Sequence, residues 1–445
     1  MPTTEVIIAT MVLIGMASLA RLLTKSWLSP GAFFGVIWAF IILLSLSAPL
    51  FGAPQYPVWH GAIWWIDLQI GVLMIGDIVG QAIAGGRSRD DGRERTLLPG
   101  IGLRYPVAIS IFCCVCTVIY IFIWDALMGR RQQPPTYMQL LLTFEYVGAL
   151  FAGLLFAAAT LPRIKVLSLL MLLPGLFVSI FGAGRTSAVA HFTFWFAGYF
   201  GMLLYLKGRP VALFTRGRLI AATACLTLFF VIGVVIKPFR GIPRGISPAD
   251  RFHAYAEVLD EEAWDDSWEY MKPGFFGHVS AFSWYFDTAW RRPPEPKAFG
   301  ERTMNGLYRL LGIEIAPEYH VDVGGIDTNV FTIFGPLIMD YTLFGSTGVF
   351  LIVGIAAGWA YGRVMRGGLR PIPILLMFYT NSMIAGGWYF NYNSVTFSYL
   401  FIFFYLVWFK NTLGRDDDSR DVLPGRLVRV LSAASGPLRP SRVDR

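Results

Sequence analysis

Long runs of apolar residues, joined by short polar connections, dominate the chain. Each run is about 20 residues long, which is the length that an α-helix needs to cross the hydrocarbon core of a bilayer. The runs predict about eleven membrane-spanning helices, over residues 4–24, 31–51, 60–84, 105–128, 137–161, 166–183, 188–206, 219–236, 343–362, 372–388 and 395–410. The predicted fold class is therefore an all-α polytopic membrane protein.

One long polar segment, residues 237–328, interrupts this pattern between the eighth and ninth runs. It is the only part of the chain with the length and polarity of a water-facing module. The chain is therefore predicted to have four regions. They are eight membrane helices in 1–236, a large outward-facing loop with short amphipathic helices in 237–328, a re-entrant or interfacial segment with the last membrane helices in 329–410, and a cytoplasmic tail in 411–445.

Composition and charge argue for a membrane protein and against a soluble one. Hydrophobic residues make up 55% of the chain and charged residues 15%, whereas soluble domains have about 25% charged residues. The net charge of +8 comes largely from basic short connections, which are typical of cytoplasmic loops. We therefore expect contacts with membrane lipids and no binding of nucleic acid. Alternating the connections places the N-terminus and the large loop outside, and the C-terminus in the cytoplasm.

The cysteines give no sign of a metal site or a disulfide framework. All four lie within apolar runs, at Cys113, Cys114, Cys116 and Cys225. A cysteine in a buried helix behaves as a small hydrophobic residue, and this spacing matches no zinc site. We expect no cofactor and no bound metal.

Arginines at two places are candidates for holding an anionic group. Arg185 lies in Gly184-Arg-Thr-Ser187, at the outer end of a predicted span. It is either an interfacial anchor or a phosphate ligand. Arg240, Arg244 and Arg251 open the large loop among Pro and Gly residues. They form either a solvated surface or a grip on a lipid diphosphate, because guanidinium groups match phosphate geometry bidentately.

The rest of the loop carries histidines, acids and aromatic residues. The outward-facing histidines His253, His278 and His320 are its only side chains that titrate near neutral pH. Residues 254–270 combine acidic positions with apolar positions four to five apart, which predicts an amphipathic helix. Residues 275–290 are rich in aromatic side chains, which suit either anchoring among lipid headgroups or stacking on a sugar.

The segment after the loop resembles a known family. It reads Asn329-Val-Phe-Thr, then Gly335-Pro336, then Asp340-Tyr341 before Gly345. This pattern resembles a segment of bacterial oligosaccharide repeat-unit polymerases, the Wzy-type O-antigen polymerases. The motif around Arg185 and the long loop between the two motifs complete the resemblance. Family members commonly read Asp-Phe-Gly where this chain has Asp340-Tyr-Thr-Leu-Phe-Gly345.

The resemblance implies a membrane glycosyltransferase with a GT-C-like architecture on the periplasmic face of the bacterial inner membrane. Its substrates would be polyprenyl-diphosphate-linked oligosaccharides, and a protein that regulates chain length is a further candidate partner. A sugar hydroxyl attacks an anomeric carbon, and polyprenyl diphosphate leaves. Arg244 would stabilise the charge that builds on the leaving group, while Arg185, Arg240 and Arg251 bind the diphosphate.

The attacking hydroxyl also needs a positioned base. Arginine cannot serve, because it does not deprotonate in proteins. The candidates are the histidines His253 and His320 and the carboxylates Asp322, Asp327 and Asp340.

Two other functions remain open at this point. An O-antigen ligase would share the topology and the arginine and histidine chemistry and differ only in its acceptor. A flippase for lipid-linked sugars would place ionisable residues near the middle of the bilayer. Asp67 and Asp77 lie within a predicted span and keep that alternative in view, since acids inside spans tend to be functional.

Overall fold

The structure is a computed structural model that describes residues 3–54, 56, 58–85, 104–120, 136–176, 186–207, 272, 276–291, 300–303, 308, 313, 321–323, 326–328, 332–368, 370–387, 404–405 and 407. Its helices are α1 (Thr3–Thr24), α2 (Pro30–Ser47), α3 (His60–Ile83), α4 (Arg104–Tyr120), α5 (Thr136–Ala158), α6 (Pro162–Leu170), α7 (Thr186–Lys207), α8 (His278–Arg291), α9 (Phe334–Met365) and α10 (Ile372–Gly387). A 3-10 turn at Ala48–Phe51 follows α2. A hairpin of β1 (Val321–Val323) and β2 (Ile326–Thr328) precedes α9.

The prediction of a helical membrane protein is confirmed. Within the part of the chain that the structure describes, four helices are long and apolar enough to cross a membrane: Thr4–Thr24, Pro30–Phe51, Gly61–Ile83 and Phe334–Met365. Three shorter apolar helices accompany them, at Val107–Cys116, Tyr146–Ala158 and Ile372–Met383. The count of eleven spans stays a prediction, because the expected span at 219–236 and most of the one at 395–410 lie outside the described residues.

Two details differ from the sequence prediction. The span expected at 166–183 begins earlier, at Pro162, and its helix α6 ends at Leu170 after nine residues. Pro174 follows closely, and the ring of a proline restricts the residue before it and removes an N–H donor, which ends or bends helices. The hairpin is the second difference, because only helices were expected. Its strands are antiparallel, with Asp322 opposite Asp327.

Helices α3 and α9 form the central interface of the molecule. They run parallel, since successive positions of α3 meet successive positions of α9. A Cβ atom on Gly80 would lie 2.1 Å from the carbonyl oxygen of Ile355, and one on Gly358 would lie 2.2 Å from that of Asp77. Glycine at this spacing lets two helix backbones approach closely in a membrane. The glycines at this interface are Gly76, Gly80, Gly354 and Gly358.

A buried polar contact also ties α3 to α9. The side-chain amide of Gln69 donates to the hydroxyl of Thr347 over 2.8 Å and to that of Ser346 over 3.3 Å. Gln69 and Ser346 are both buried. Such contacts between membrane helices satisfy polar groups that have no water nearby. The pair of helices is therefore fixed in register by polar as well as close-packed contacts.

The remaining helices pack around this pair in two groups. Helices α1 and α2 pack on α3, while α5 packs on both α4 and α7. Helix α10 contacts both groups: it packs on α2 and α9 on one side and on α7 on the other. A Cβ atom on Gly201 of α7 would lie 2.3 Å from the side chain of Leu376. Helix α10 therefore connects the two halves of the described membrane domain.

Helix α9 is broken near its beginning. Thr342 has a φ of 66° and a ψ of 177°, so the chain leaves the helical conformation for one residue. A positive φ is rare for a β-branched residue and marks local strain. The Thr342 hydroxyl accepts a hydrogen bond from the N–H of Gly345 over 3.5 Å, as an N-cap of the following helix does. The short helix before this break carries Asp340 and Tyr341.

Candidate functional site

Parts of the polar segment lie across one end of the membrane helices. We call these parts the roof and define it as Lys272, Phe276, helix α8 and the turn Gly300–Thr303. At its first contact the Lys272 ammonium donates to the carbonyl oxygen of Gly52 over 3.0 Å. The Phe276 ring stacks on Phe51 at 5.7 Å between centroids, and the Ser45 hydroxyl donates to the Phe276 carbonyl oxygen. The roof is therefore attached to the connection between α2 and α3.

Helix α8 makes the second contact, at the start of α3. The backbone N–H of Trp59 donates to the Ser283 hydroxyl, and the Arg291 guanidinium lies 4.7 Å from the Trp59 ring. Phe286 packs so closely that a Cβ atom on Gly61 would lie 2.8 Å from its ring. The buried side of α8 includes the apolar residues Val279, Phe282, Phe286 and Ala289. The amphipathic helix is thus seated on the membrane domain by its apolar face.

A connected group of aromatic rings runs from α8 into the bundle. Phe282 lies 5.3 Å from Phe334, at the start of α9, and Phe334 lies 4.6 Å from Trp38 and 5.1 Å from Phe350. Aromatic pairs at such distances contribute beyond the area that they bury. The series continues to Phe34, which lies 6.0 Å from Phe350. A displacement of α8 would therefore alter the packing of the aromatic rings at the centre of the bundle.

The third contact joins the roof to Asp340. The backbone N–H of Arg302 donates to both carboxylate oxygens of Asp340, over 3.1 Å each. The backbone N–H of Thr303 donates to Oδ2 of Asp340 over 2.7 Å. The Thr303 hydroxyl donates to the same Oδ2 over 2.7 Å and lies 3.1 Å from the Tyr341 hydroxyl. Hydrogen bonds to an ionised acceptor are among the strongest in proteins. We call this arrangement of Arg302, Thr303, Asp340 and Tyr341 the Asp340 clamp.

An apolar cavity lies below the clamp. Its volume is about 230 Å³ and its walls come from α2, α3, α9 and α10. Thr303 is the one lining residue from the roof, so the clamped turn borders the cavity. Val353 also lines it and is 39% exposed. The lining includes the apolar side chains Phe34, Leu73, Leu337, Phe350 and Phe378 and the polar side chains Thr303, Asn381 and Ser382.

The arrangement suits a ligand with an apolar and a polar part. The walls of the cavity are apolar and lie between helices of the membrane domain. Thr303, from the polar segment, lies at the edge of the cavity. Ligand sites of this kind combine mostly apolar walls with a few placed polar groups. A lipid chain could lie in the cavity while its headgroup faces the roof.

The sequence-predicted site residues are only partly placed by the structure. Of these, Asp340 is described in full, and its carboxylate belongs to the clamp. Asp322 of β1 pairs with Asp327 of β2 in the register of the hairpin. The other predicted residues lie outside the described part of the chain: Arg185, Arg240, Arg244, Arg251, His253 and His320.

Sequence reasoning missed the residues that attach the roof. Lys272, Ser283 and Thr303 carry no motif, and their partners lie far away in the chain; Ser45 and Phe276, for example, are 231 positions apart. One signal was available, because apolar residues at 279, 282, 286 and 289 recur at helical spacing. That spacing predicts an amphipathic helix at α8.

The two acids inside α3 have different surroundings. Both are buried. The Asp77 carboxylate accepts the N–H of Gly31 over 2.9 Å and the side-chain amide of Gln81 over 2.8 Å. Gly31 is in the first turn of α2, where N–H groups lack helical partners, so Asp77 caps that helix. Among the residues that the structure describes, neither carboxylate oxygen of Asp67 has a hydrogen-bond partner. The hydrogen bonds of Asp77 therefore give this acid a structural role, which weakens it as support for the flippase alternative.

Comparison with known proteins adds no assignment. The chain has no match among protein-family models, among curated proteins or among solved structures. Within the described residues, no three His, Cys, Asp or Glu side chains converge where a metal ion could bind. The resemblance to oligosaccharide polymerases therefore stands on the sequence motifs alone.

Proposed function

We propose that the protein is a membrane glycosyltransferase that polymerises polyprenyl-diphosphate-linked oligosaccharide repeat units on the periplasmic face of the bacterial inner membrane. One observation carries the proposal: an apolar cavity between helices of the membrane domain ends at a polar roof. A lipid-linked sugar likewise has an apolar part, the lipid chain, followed by a polar part, the diphosphate and the sugar. The sequence motifs around Arg185 and Asp340 supply the chemical class.

The proposed reaction is a displacement at an anomeric carbon. The hydroxyl oxygen of the acceptor sugar forms a bond to the anomeric carbon of the donor glycan, and the bond from that carbon to the diphosphate oxygen breaks. The hydroxyl proton passes to a base, for which His253 and His320 are the first candidates and the carboxylates Asp322, Asp327 and Asp340 the others. The diphosphate leaves with the bonding electron pair, and Arg185, Arg240, Arg244 and Arg251 would stabilise its charge.

The apolar cavity would hold the part of the polyprenyl chain nearest the diphosphate. Holding that part fixes the distance between the anomeric carbon and the groups of the large loop. Restricting a reactant in this way removes much of the entropic barrier to reaction. Filling the cavity should therefore abolish the reaction without touching any reacting group.

The direct test is a polymerisation assay with the purified protein in lipid vesicles. The substrate is a polyprenyl-diphosphate-linked repeat unit, and the product is resolved as a ladder on a gel. The proposal expects a ladder for the wild-type protein and its loss when Arg185 and Arg244 are both replaced by alanine. A ladder of wild-type intensity from that double variant would contradict the diphosphate role.

A cavity variant tests the structural part of the proposal. Ala356 lines the cavity, so Ala356→Phe should block it and remove the ladder. Ile352, one turn earlier on the same helix, is 67% exposed and does not line the cavity, so Ile352→Phe is the matched control. Equal ladders from both variants would contradict a role for the cavity. Absence of any wild-type ladder from intact substrate would favour a ligase or a flippase, which acceptor-lipid and lipid-scrambling assays distinguish.

A further inference from the structure

The Asp340 carboxylate accepts hydrogen bonds from the Gly300–Thr303 turn of the same chain. Both oxygens accept the Arg302 N–H, and Oδ2 also accepts the Thr303 N–H and the Thr303 hydroxyl. A general base needs a lone pair that can reach a substrate proton at hydrogen-bond distance. In Asp340 the lone pairs of Oδ2 are directed to the two Thr303 donors. This geometry argues against Oδ2 of Asp340 as the atom that receives the proton.

The same geometry fixes the edge of the apolar cavity. Thr303 is both the main partner of Asp340 and a lining residue of the cavity. Asp340 itself lies two residues before the break at Thr342, in the short first part of α9. A strained residue of this kind persists only where its surroundings hold it. The clamp supplies three hydrogen-bond donors to Asp340, on the N-terminal side of that break.

The short helix before the break is anchored from below as well. Phe334 at its first position is buried among Phe282, Trp38 and Phe350, and Leu337 in its next turn lines the cavity. One side of this helix therefore forms part of the cavity wall, and its last turn holds the roof turn. A change at Asp340 would act on wall and roof together.

We propose that Asp340 is a positioning residue, which holds the Gly300–Thr303 turn at the edge of the apolar cavity and so places a lipid-linked substrate for reaction. The placement of the turn stands on the geometry alone. The effect on a reaction rests on the proposed polymerase function. The two parts are tested separately.

The placement is tested by amide hydrogen exchange on the full-length protein in lipid nanodiscs. Asp340→Ala removes the acceptor of the Arg302 and Thr303 amides, so peptides that contain them should exchange about tenfold faster or more, because a hydrogen bond to a charged group is lost. Peptides from the middle of α3 should keep their wild-type rates. Unchanged exchange at 302–303 would overturn the clamp, whether or not the protein has any enzymatic activity.

The matched control is Glu5→Gln. The Glu5 carboxylate accepts a hydrogen bond from the indole N–H of Trp64 over 2.9 Å, so this variant changes a carboxylate elsewhere on the same end of the bundle. Its exchange at 302–303 should equal that of the wild-type protein. Faster exchange there in both variants would show a general loosening of this end and would count against a specific clamp.

The kinetic consequence distinguishes positioning from proton transfer. For Thr303→Val, which removes the hydroxyl and keeps the backbone donor, we expect KM for the lipid-linked repeat unit to rise about tenfold while kcat changes by less than about threefold. Thr303→Ser restores the hydroxyl and should restore KM. Asp340→Asn should show the larger KM effect and keep the acid limb of the pH profile.

Two kinetic outcomes overturn the positioning role. Loss of kcat in Asp340→Asn with normal KM and a lost acid limb would identify Asp340 as the base. Wild-type kinetics in Asp340→Asn, together with fast exchange at 302–303, would show that the turn is irrelevant to the reaction. If the wild-type protein forms no polymer, the proposed function fails, and the exchange measurement still decides the clamp.

Discussion

At the scale of single residues, the structure distinguishes three acids by their hydrogen-bond partners. Asp67, Asp77 and Asp340 all lie within apolar surroundings. Asp77 caps the start of α2 through Gly31 and also binds Gln81, and Asp340 holds the roof turn. Asp67 is buried without a hydrogen-bond partner among the described residues. The first two therefore have structural partners that explain a buried carboxylate, because such groups are costly unless they are hydrogen-bonded.

Replacement of Asp77 should destabilise the protein in a graded way. Asp77→Ala leaves the Gly31 N–H and the Gln81 amide unsatisfied, and each buried polar group without a partner costs about 1–3 kcal/mol. Asp77→Asn keeps one acceptor oxygen for the Gly31 N–H, so its loss should be smaller. The measurement is the free energy of unfolding of the purified protein in detergent. Equal stability of the alanine variant and the wild-type protein would show that Asp77 does not cap α2.

At the scale of helices, close packing of α3 against α9 organises the membrane domain. The glycines Gly76, Gly80, Gly354 and Gly358 bring the two backbones together, and Gln69 adds hydrogen bonds to Ser346 and Thr347. These helices come from opposite halves of the chain, and both begin at the end of the bundle that the roof covers. Their pairing is what brings the Asp340 region next to the start of α3.

A side chain at this interface should be poorly tolerated. The Cβ atom of Gly80→Ala would lie 2.1 Å from the Ile355 carbonyl oxygen, and overpacking of this kind costs about 1–3 kcal/mol. Gly348 is the control on α9, because a Cβ atom there meets nothing within 4 Å. Gly348→Ala should be neutral or stabilise the helix by about 0.5–1 kcal/mol. Thermal unfolding of both variants tests this, and equal effects would contradict the close packing.

At the scale of the whole molecule, the roof gives the bundle a direction. Its three attachments are at the α2–α3 connection, at the start of α3 and at the start of α9. The opposite end carries the last turn of α9, where Arg366 lies against Gly85. The charge pattern of the sequence predicts that the roofed end faces away from the cytoplasm.

Cysteine labelling measures that orientation. In a background without the four native cysteines, Leu50→Cys probes the roofed end, where Leu50 is 84% exposed. Arg370→Cys probes the opposite end, beyond α9. A maleimide that does not cross membranes should label Leu50→Cys on intact spheroplasts and label Arg370→Cys only after permeabilisation. The reverse pattern would place the roof in the cytoplasm and exclude a periplasmic reaction.

Much of the helical framework could be predicted because its signal is local. The helices α1, α3, α5, α7 and α10 begin and end within about three residues of the apolar runs that predict them. An apolar run of sufficient length favours a membrane helix whatever the rest of the chain does. The early end of α6 was harder to predict, since it interrupts a run that remains apolar. The break at Thr342 directly precedes the predicted run 343–362.

The sequence by itself therefore determined that this is a helical membrane protein, with a polar segment between its hydrophobic parts. Only the tertiary structure decided which helices pair, where the roof attaches and which carboxylate is occupied. The physical reason is distance along the chain: Asp340 meets Thr303 across 37 positions, and Gly31 meets Asp77 across 46. Such partners are selected by packing, which no local pattern of apolar and polar residues encodes.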